Sequence, residues 1–201
     1  DEKTKSFGIA AAYSNLVLMT KLLKFNNTFT KAPESFGTNF NFRIKNKNGG
    51  ILKYYGSFDT NRLGLQDESL EPEADFDNTS LKGKNTFHNI SYRQKLGRYL
   101  VNLGSSYTFN NNLIDLSNTY QESEFNLNSI DITGNYFNAK GTLERKINKI
   151  SAIRGGIEFN QTRENTDVAI SPVPYSFHDR ITSVFAETDL GFSNHFSAKV
   201  G

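Results

Sequence analysis

Apolar and polar side chains alternate one for one over stretch after stretch of this chain, and each stretch stops at a short polar turn. Between Phe36 and Lys45, Phe36, Thr38, Phe40, Phe42 and Ile44 share one parity, while Asn39, Asn41, Arg43 and Lys45 share the other. Successive side chains take opposite faces only in an extended strand, so this pattern dictates β-structure with one apolar face. Asn46 to Gly49 follows, ending in Asn48-Gly49, a pair that accepts the positive φ of a two-strand hairpin. On the return strand Leu52, Tyr54 and Phe58 share a face with Gly56, opposite Lys53, Tyr55, Ser57 and Asp59. Such a hairpin needs its apolar face covered, either by a second protein layer or by lipid.

Composition bears on that choice. Only 36% of the 201 residues are hydrophobic, below the roughly 45–50% usual in globular proteins. A wet interior lined with polar side chains accounts for the deficit. The 17 Phe and 9 Tyr suit an outer wall with aromatic girdles, although Trp is absent. The longest apolar run, Leu16 to Leu23, is interrupted by Thr20 and Lys21 and falls short of the ~18 residues a membrane helix needs. A net charge of +2 implies no nucleic-acid partner. With no cysteine there are no disulfides, thiolate metal sites or thiol nucleophiles. Charged residues follow Asp1 where a leader would carry its apolar core, so the expectation is a mature terminus or an internal piece of a longer chain.

The hairpin grammar continues. Strands are expected near Lys5 to Tyr13, Phe87 to Leu96, Tyr99 to Asn110, Ser129 to Arg145 and Ser151 to Arg163. Tight turns fall at Gly97-Arg98, at Lys146 to Lys149 and at Ser193-Asn194-His195. Long polar loops are expected at Gly64 to Lys84, at Asn111 to Asn128, and from Asp167 to Phe177 with Pro172 and Pro174. Short turns alternating with long loops are the asymmetry of outer-membrane barrels. The fold expected is an all-β antiparallel meander of about eight or nine strands, one part of a transmembrane barrel. Ile130 and Ile132 are out of phase with Phe137, Ala139, Gly141 and Leu143, which predicts a β-bulge near Gly134 or Asn135.

Several phrases resemble the early barrel strands of TonB-dependent receptors of Bacteroidota-type bacteria. They are Lys31 to Gly37 (KAPESFG), Phe40 to Lys45 (FNFRIK), Asn48 to Asp59 (NGGILKYYGSFD) and Asn89 to Gly97 (NISYRQKLG). Tyr136 to Arg145 (YFNAKGTLER), and Ser183 to Asn194 (SVFAETDLGFSN) running into Ala198 to Gly201, are similar too. The resemblance implies a barrel of about 22 strands closed by an N-terminal plug. It also implies extracellular loops that capture a scarce nutrient such as a siderophore, glycan or peptide, and an energising partner, TonB. Neither plug nor TonB box matches any part of residues 1–201, which would make the chain one part of a single barrel domain. Outer-membrane lipid and lipopolysaccharide are implied partners, and a surface lipoprotein lid is a further one. A passive porin and a soluble β-sandwich binding module are the alternatives.

Candidate sites are sparse. Asp67, Glu68, Glu71, Glu73, Asp75 and Asp77 form an acidic run that is either a solvated loop or a hard-cation site, without the spacing of a known calcium loop. Tyr120, Phe125 and Tyr175 are loop aromatics suited either to stacking on a ligand or to loop packing. The three histidines, His88, His178 and His195, are scattered. Glu122 with Glu124, and Glu187 with Asp189, each share a strand face, an arrangement seen in glycosidase pairs and also in charged channel walls. No nucleophile elbow, phosphate loop or metal-binding helix motif is present, so no catalytic residue and no cofactor is expected.

Overall fold

The computed structural model describes residues 4–23, 28–70, 74–121, 123–148, 151–171, 173–191 and 196–201. Glu71, Glu73, Glu122, Lys149, Pro172 and the Ser193-Asn194-His195 turn lie outside the described residues. The strands are β1 (Lys5–Asn15), β2 (Thr28–Lys45), β3 (Ile51–Glu68), β4 (Phe76–Leu96), β5 (Tyr99–Tyr120), β6 (Ser123–Lys146), β7 (Ala152–Val168), β8 (Tyr175–Gly191) and β9 (Ser197–Val200). They form one antiparallel sheet in sequence order, an all-β meander. A single helix among the described residues, α1 (Val17–Leu22), links β1 to β2.

The tight turns form where Asn and Gly predict them. Gly49 has φ 79° and Gly97 has φ 59°, both in the left-handed region that penalises a Cβ. Asn46 closes its turn twice: its backbone N–H donates to the Gly50 carbonyl at 2.8 Å, and its side-chain oxygen accepts from the Gly50 N–H at 2.6 Å.

Cross-strand register carries the sequence alternation across the whole sheet. Phe7 faces Phe42, Phe42 faces Tyr54, and Tyr54 faces Ile90. Farther on, Tyr107 faces Phe137, Gly141 faces Ile157, and Ile157 faces Val184. These residues define an apolar face. The opposite, polar face carries Asn41, Lys53, Asn89, Asn102, Lys140 and Glu158. Among the described residues no hydrophobic side chain is buried, and the buried polar ones are Ser117, Asn118 and Ser151. Phe7 is 81% and Val184 80% exposed, so no protein layer covers the apolar face.

Two expectations change. Two of the three segments expected as long polar loops are mostly strand: β3 runs to Glu68 and β4 starts at Phe76, while β5 runs to Tyr120 and β6 starts at Ser123; the third connects β7, ending at Val168, to β8, starting at Tyr175. Residues such as Asn111, Asp115 and Thr133 are polar yet stay in an unbroken ladder, because pairing depends on the backbone and not on side-chain polarity. The bulge expected at Gly134 or Asn135 is absent. Pairing of β6 is continuous there with both neighbours. The register breaks instead between Leu116 and Ser117, where Leu127 is the extra residue opposite them.

The phase shift at Ile130 and Ile132 therefore has another cause. Leu63 pairs with Leu81, Leu81 with Ile114, Ile114 with Ile130, and Ile130 with Val168. All five lie on the otherwise polar face, in the distal halves of their strands. Both faces change character together across five strands, with the backbone in unbroken register.

Candidate functional site

The polar face has two halves. Near the tight turns of β6, β7 and β8 it is a charge ladder, with Glu144, Arg154 and Glu187 directly paired in turn. Arg154 on β7 reaches Glu144 on β6 with Nε at 3.1 Å and Nη2 at 2.6 Å, and Glu187 on β8 with Nη1 at 2.5 Å. Lys199 on β9 reaches the other oxygen of Glu187 at 2.7 Å. Two same-face positions farther from the turns, Lys140 pairs with Glu158 at 3.0 Å and lies 4.9 Å from the centre of the Phe185 ring. Asn138 donates to Asn160 at 2.6 Å beside it. Glu144, Glu158 and Glu187 thus each have a cationic partner, while Lys53 and Arg93 on the same face add positive charge on β3 and β4. Glu187 and Asp189 share that face as their spacing requires, and Glu187 is held by Arg154 and Lys199.

Beyond the ladder the same face becomes apolar. The row from Leu63 to Val168 is half-buried, and Leu65, Leu116 and Ile132 extend it by one position. Tyr120 and Phe125 lie on this face at the hairpin tip, packed edge to face at 5.7 Å. Tyr175 is also on it, on β8 opposite Thr166, and is exposed. The three candidate aromatics therefore share a face, but only two of them touch. Parity counting along β3, β4, β5 and β7 would have exposed the row, since Leu63, Leu81, Ile114 and Val168 each depart from their own strand's apolar parity as Ile130 does.

Ionised residues in the distal half are segregated. On the face with the apolar row they are Asp59, Asp67, Asp77, Glu164 and Asp179, with no Lys or Arg among the described residues of β3 to β8 beyond the ladder. Glu164 accepts a hydrogen bond from Tyr136, whose ring covers Gly134. Asp67 and Asp77 are direct cross-strand partners, and Ser69 donates to Asp77 at 2.7 Å. Arg62, Lys82, Lys84, Arg163 and Arg180 all take the opposite face. There Arg62 binds Glu34 at 2.7 Å, which holds the Glu34 carboxyl below its ordinary 4.5, and Tyr13 adds a second hydrogen bond at 3.0 Å. Lys82 reaches Asp115 at 3.3 Å, beside a groove of about 840 Å³ also lined by Gln66, Asn78 and Ser129.

Of the described residues of the acidic run, Asp67 and Asp77 pair directly while the others stand apart. Glu68 ends β3, Asp75 precedes β4 and accepts from the Gln121 N–H at 2.8 Å, and no group of three metal-holding side chains occurs among the described residues. His88 shares a 2.7 Å hydrogen bond with Tyr54. His178 stands opposite Arg163, far along the sheet from His88.

No protein-family model matches this sequence, and no curated protein matches it. Solved structures do match its fold. The ferric citrate transporter FecA in its unliganded form superposes with a TM-score of 0.67 over 96% of this chain and 32% of its own, at 9% identity. The ferric yersiniabactin uptake receptor FyuA from Yersinia pestis gives 0.61 over 96% and 34%, at 9% identity. BauA, the ferric preacinetobactin receptor from Acinetobacter baumannii, gives 0.53 over 81% and 29%, at 7% identity. The chain spans about a third of the length of these structures, and its meander corresponds to part of their barrels.

Proposed function

We propose that this chain is one part of the barrel wall of a TonB-dependent receptor, of the Bacteroidota type, that imports a scarce nutrient across the bacterial outer membrane. The observation that carries this reading is the uncovered apolar face. From Tyr99 to Phe109 that face runs about 33 Å along β5, or about 23 Å in height at a strand tilt of about 45°. An outer-membrane barrel presents an apolar band about 25 Å tall. A soluble sandwich would instead bury this face in a core, and none is present among the described residues. The receptor and transporter barrels that share the fold support the same reading.

On this proposal the apolar face meets lipid and the charge ladder lines the lumen. The long hairpins stand in water on the outer side and capture the nutrient. A plug outside residues 1–201 closes the lumen until TonB displaces it. A surface lipoprotein lid is an optional partner, and the wall itself performs no covalent chemistry. The test uses the intact protein in its host. It should co-fractionate with outer-membrane markers, require detergent for extraction, and support uptake that stops when the inner-membrane proton gradient is collapsed. Uptake that persists without the gradient would favour a passive porin. Recovery in the aqueous phase without detergent would sink both barrel readings.

A further inference from the structure

The apolar row on the lumen side has no role in crossing a bilayer, because it stands beyond the apolar band on the face that the band leaves polar. From the charge segregation around it we infer that the distal half of this face is a docking surface for a short cationic peptide with apolar side chains. The inference rests on the barrel reading above and names a substrate class for it.

Two features on the sheet point to that class. The first is extent. From Leu63 on β3 to Val168 on β7 the row crosses five strands, about 19 Å at the usual strand spacing, which about six residues of extended peptide would span. The second is sign. Asp67 and Asp77 lie one same-face position beyond Leu65 and Thr79, and Glu164 pairs with Gly134, one same-face position from Ile132. Carboxylates thus border the apolar strip at both its β3 and β7 ends, while every Lys and Arg of these strand segments is turned to the other face. An anionic ligand would meet only repulsion here. A cationic one gains complementary charge at both ends, with its apolar side chains against Leu81, Ile114 and Ile130. Tyr120, Phe125 and Tyr175 extend the apolar surface toward the tips.

The experiment measures binding of the hexapeptide Leu-Lys-Leu-Lys-Leu-Lys to the intact protein in lipid nanodiscs, beside Leu-Glu-Leu-Glu-Leu-Glu and Ser-Lys-Ser-Lys-Ser-Lys. Only the first should bind well. Leu81→Asn with Ile114→Asn should weaken it about tenfold, as expected for losing the burial of one large apolar side chain. Asp67→Asn with Asp77→Asn should weaken it about threefold and flatten its salt dependence. Lys84→Gln on the opposite face should leave it unchanged. Because the three peptides are compared on the unmodified protein, misfolding of a variant cannot hide the answer. Equal binding of the anionic peptide, equal binding of the serine peptide, or indifference to both double substitutions would overturn the inference. Nanodisc insertion is scored separately, so failure of the barrel reading is distinguishable from failure of this one.

Discussion

The proximal and distal halves of the same strands obey one backbone rule and two opposite solvent rules. Near the tight turns, Leu103, Phe137, Ile157 and Val184 stand on one face while Arg154, Glu158 and Lys140 stand on the other. Distally, Asn111, Asp131, Lys84 and Arg163 take the first face and Leu63, Leu81, Ile114 and Ile130 the second. Pairing is continuous through the changeover, so its cause is not a slip of register. Side-chain period reports the strand, and side-chain phase reports the surroundings. A chain that passes from lipid into water must change phase without changing period.

This contrast can be broken most severely at its proximal end. Leu103→Arg puts a cation in the middle of the apolar band and should cost about 2–4 kcal/mol. The same exchange at Leu113, on the same face and strand but in the distal half, should cost less than about 1 kcal/mol. Urea unfolding of the intact protein from bilayers measures both, and equal costs would remove the lipid boundary placed between them. Next in size is Arg154→Met, which leaves Glu144 without its cation and Glu187 with Lys199 alone. Arg154 is 33% exposed, so water screens part of the loss, and about 1 kcal/mol is expected. Lysine at that position should restore only part of it, since one ammonium cannot reproduce the two-sided contact.

Gly49→Val tests the turns that set the phase of the first hairpin. At φ 79° a β-branched residue is strained, and about 1 kcal/mol should be lost. Gly49→Asn should lose much less. Smallest is the pH response of Glu34 on the distal outer surface. Arg62 and then Tyr13 lower its folded pKa by hydrogen bonding, so its contribution is present above the ordinary carboxylate value of 4.5 and is lost as pH falls through the lower folded value. Glu34→Gln should flatten that acid limb, and an unchanged acid limb would show that the pair contributes nothing to stability.

Much of the wall was readable from sequence because alternation, Asn-Gly turns and aromatic content are local signals. The hairpin from Phe36 to Asp59 folds as its residues indicate. The distal strands were not readable in the same way. Gly64 to Lys84 and Asn111 to Asn128 contain the Asp, Asn and Ser that usually mark loops, and what keeps them extended is pairing with neighbours far along the chain. Ile130 and Ile132 did carry a warning, but one strand cannot distinguish a bulge from a change of surroundings. The ladder around Arg154 needed three strands at once, because Glu144 and Glu187 are 43 residues apart in sequence. The acidic tip and its aromatics were visible as residue types, while their sharing of a face with a greasy strip was not.

The break at Leu127 divides the hairpin of β5 and β6. Between it and the tight turns, β5 and β6 are paired residue for residue from Tyr99–Arg145 to Leu116–Asn128. Beyond the interruption Ser117 to Thr119 stay paired with β4, whereas Ser123 to Asn126 pair with β5 alone, since the register of β6 with β7 starts at Ile130; the β6 side of the tip is therefore the part held by one neighbour. Its amides should exchange with solvent faster than those of the stretch below.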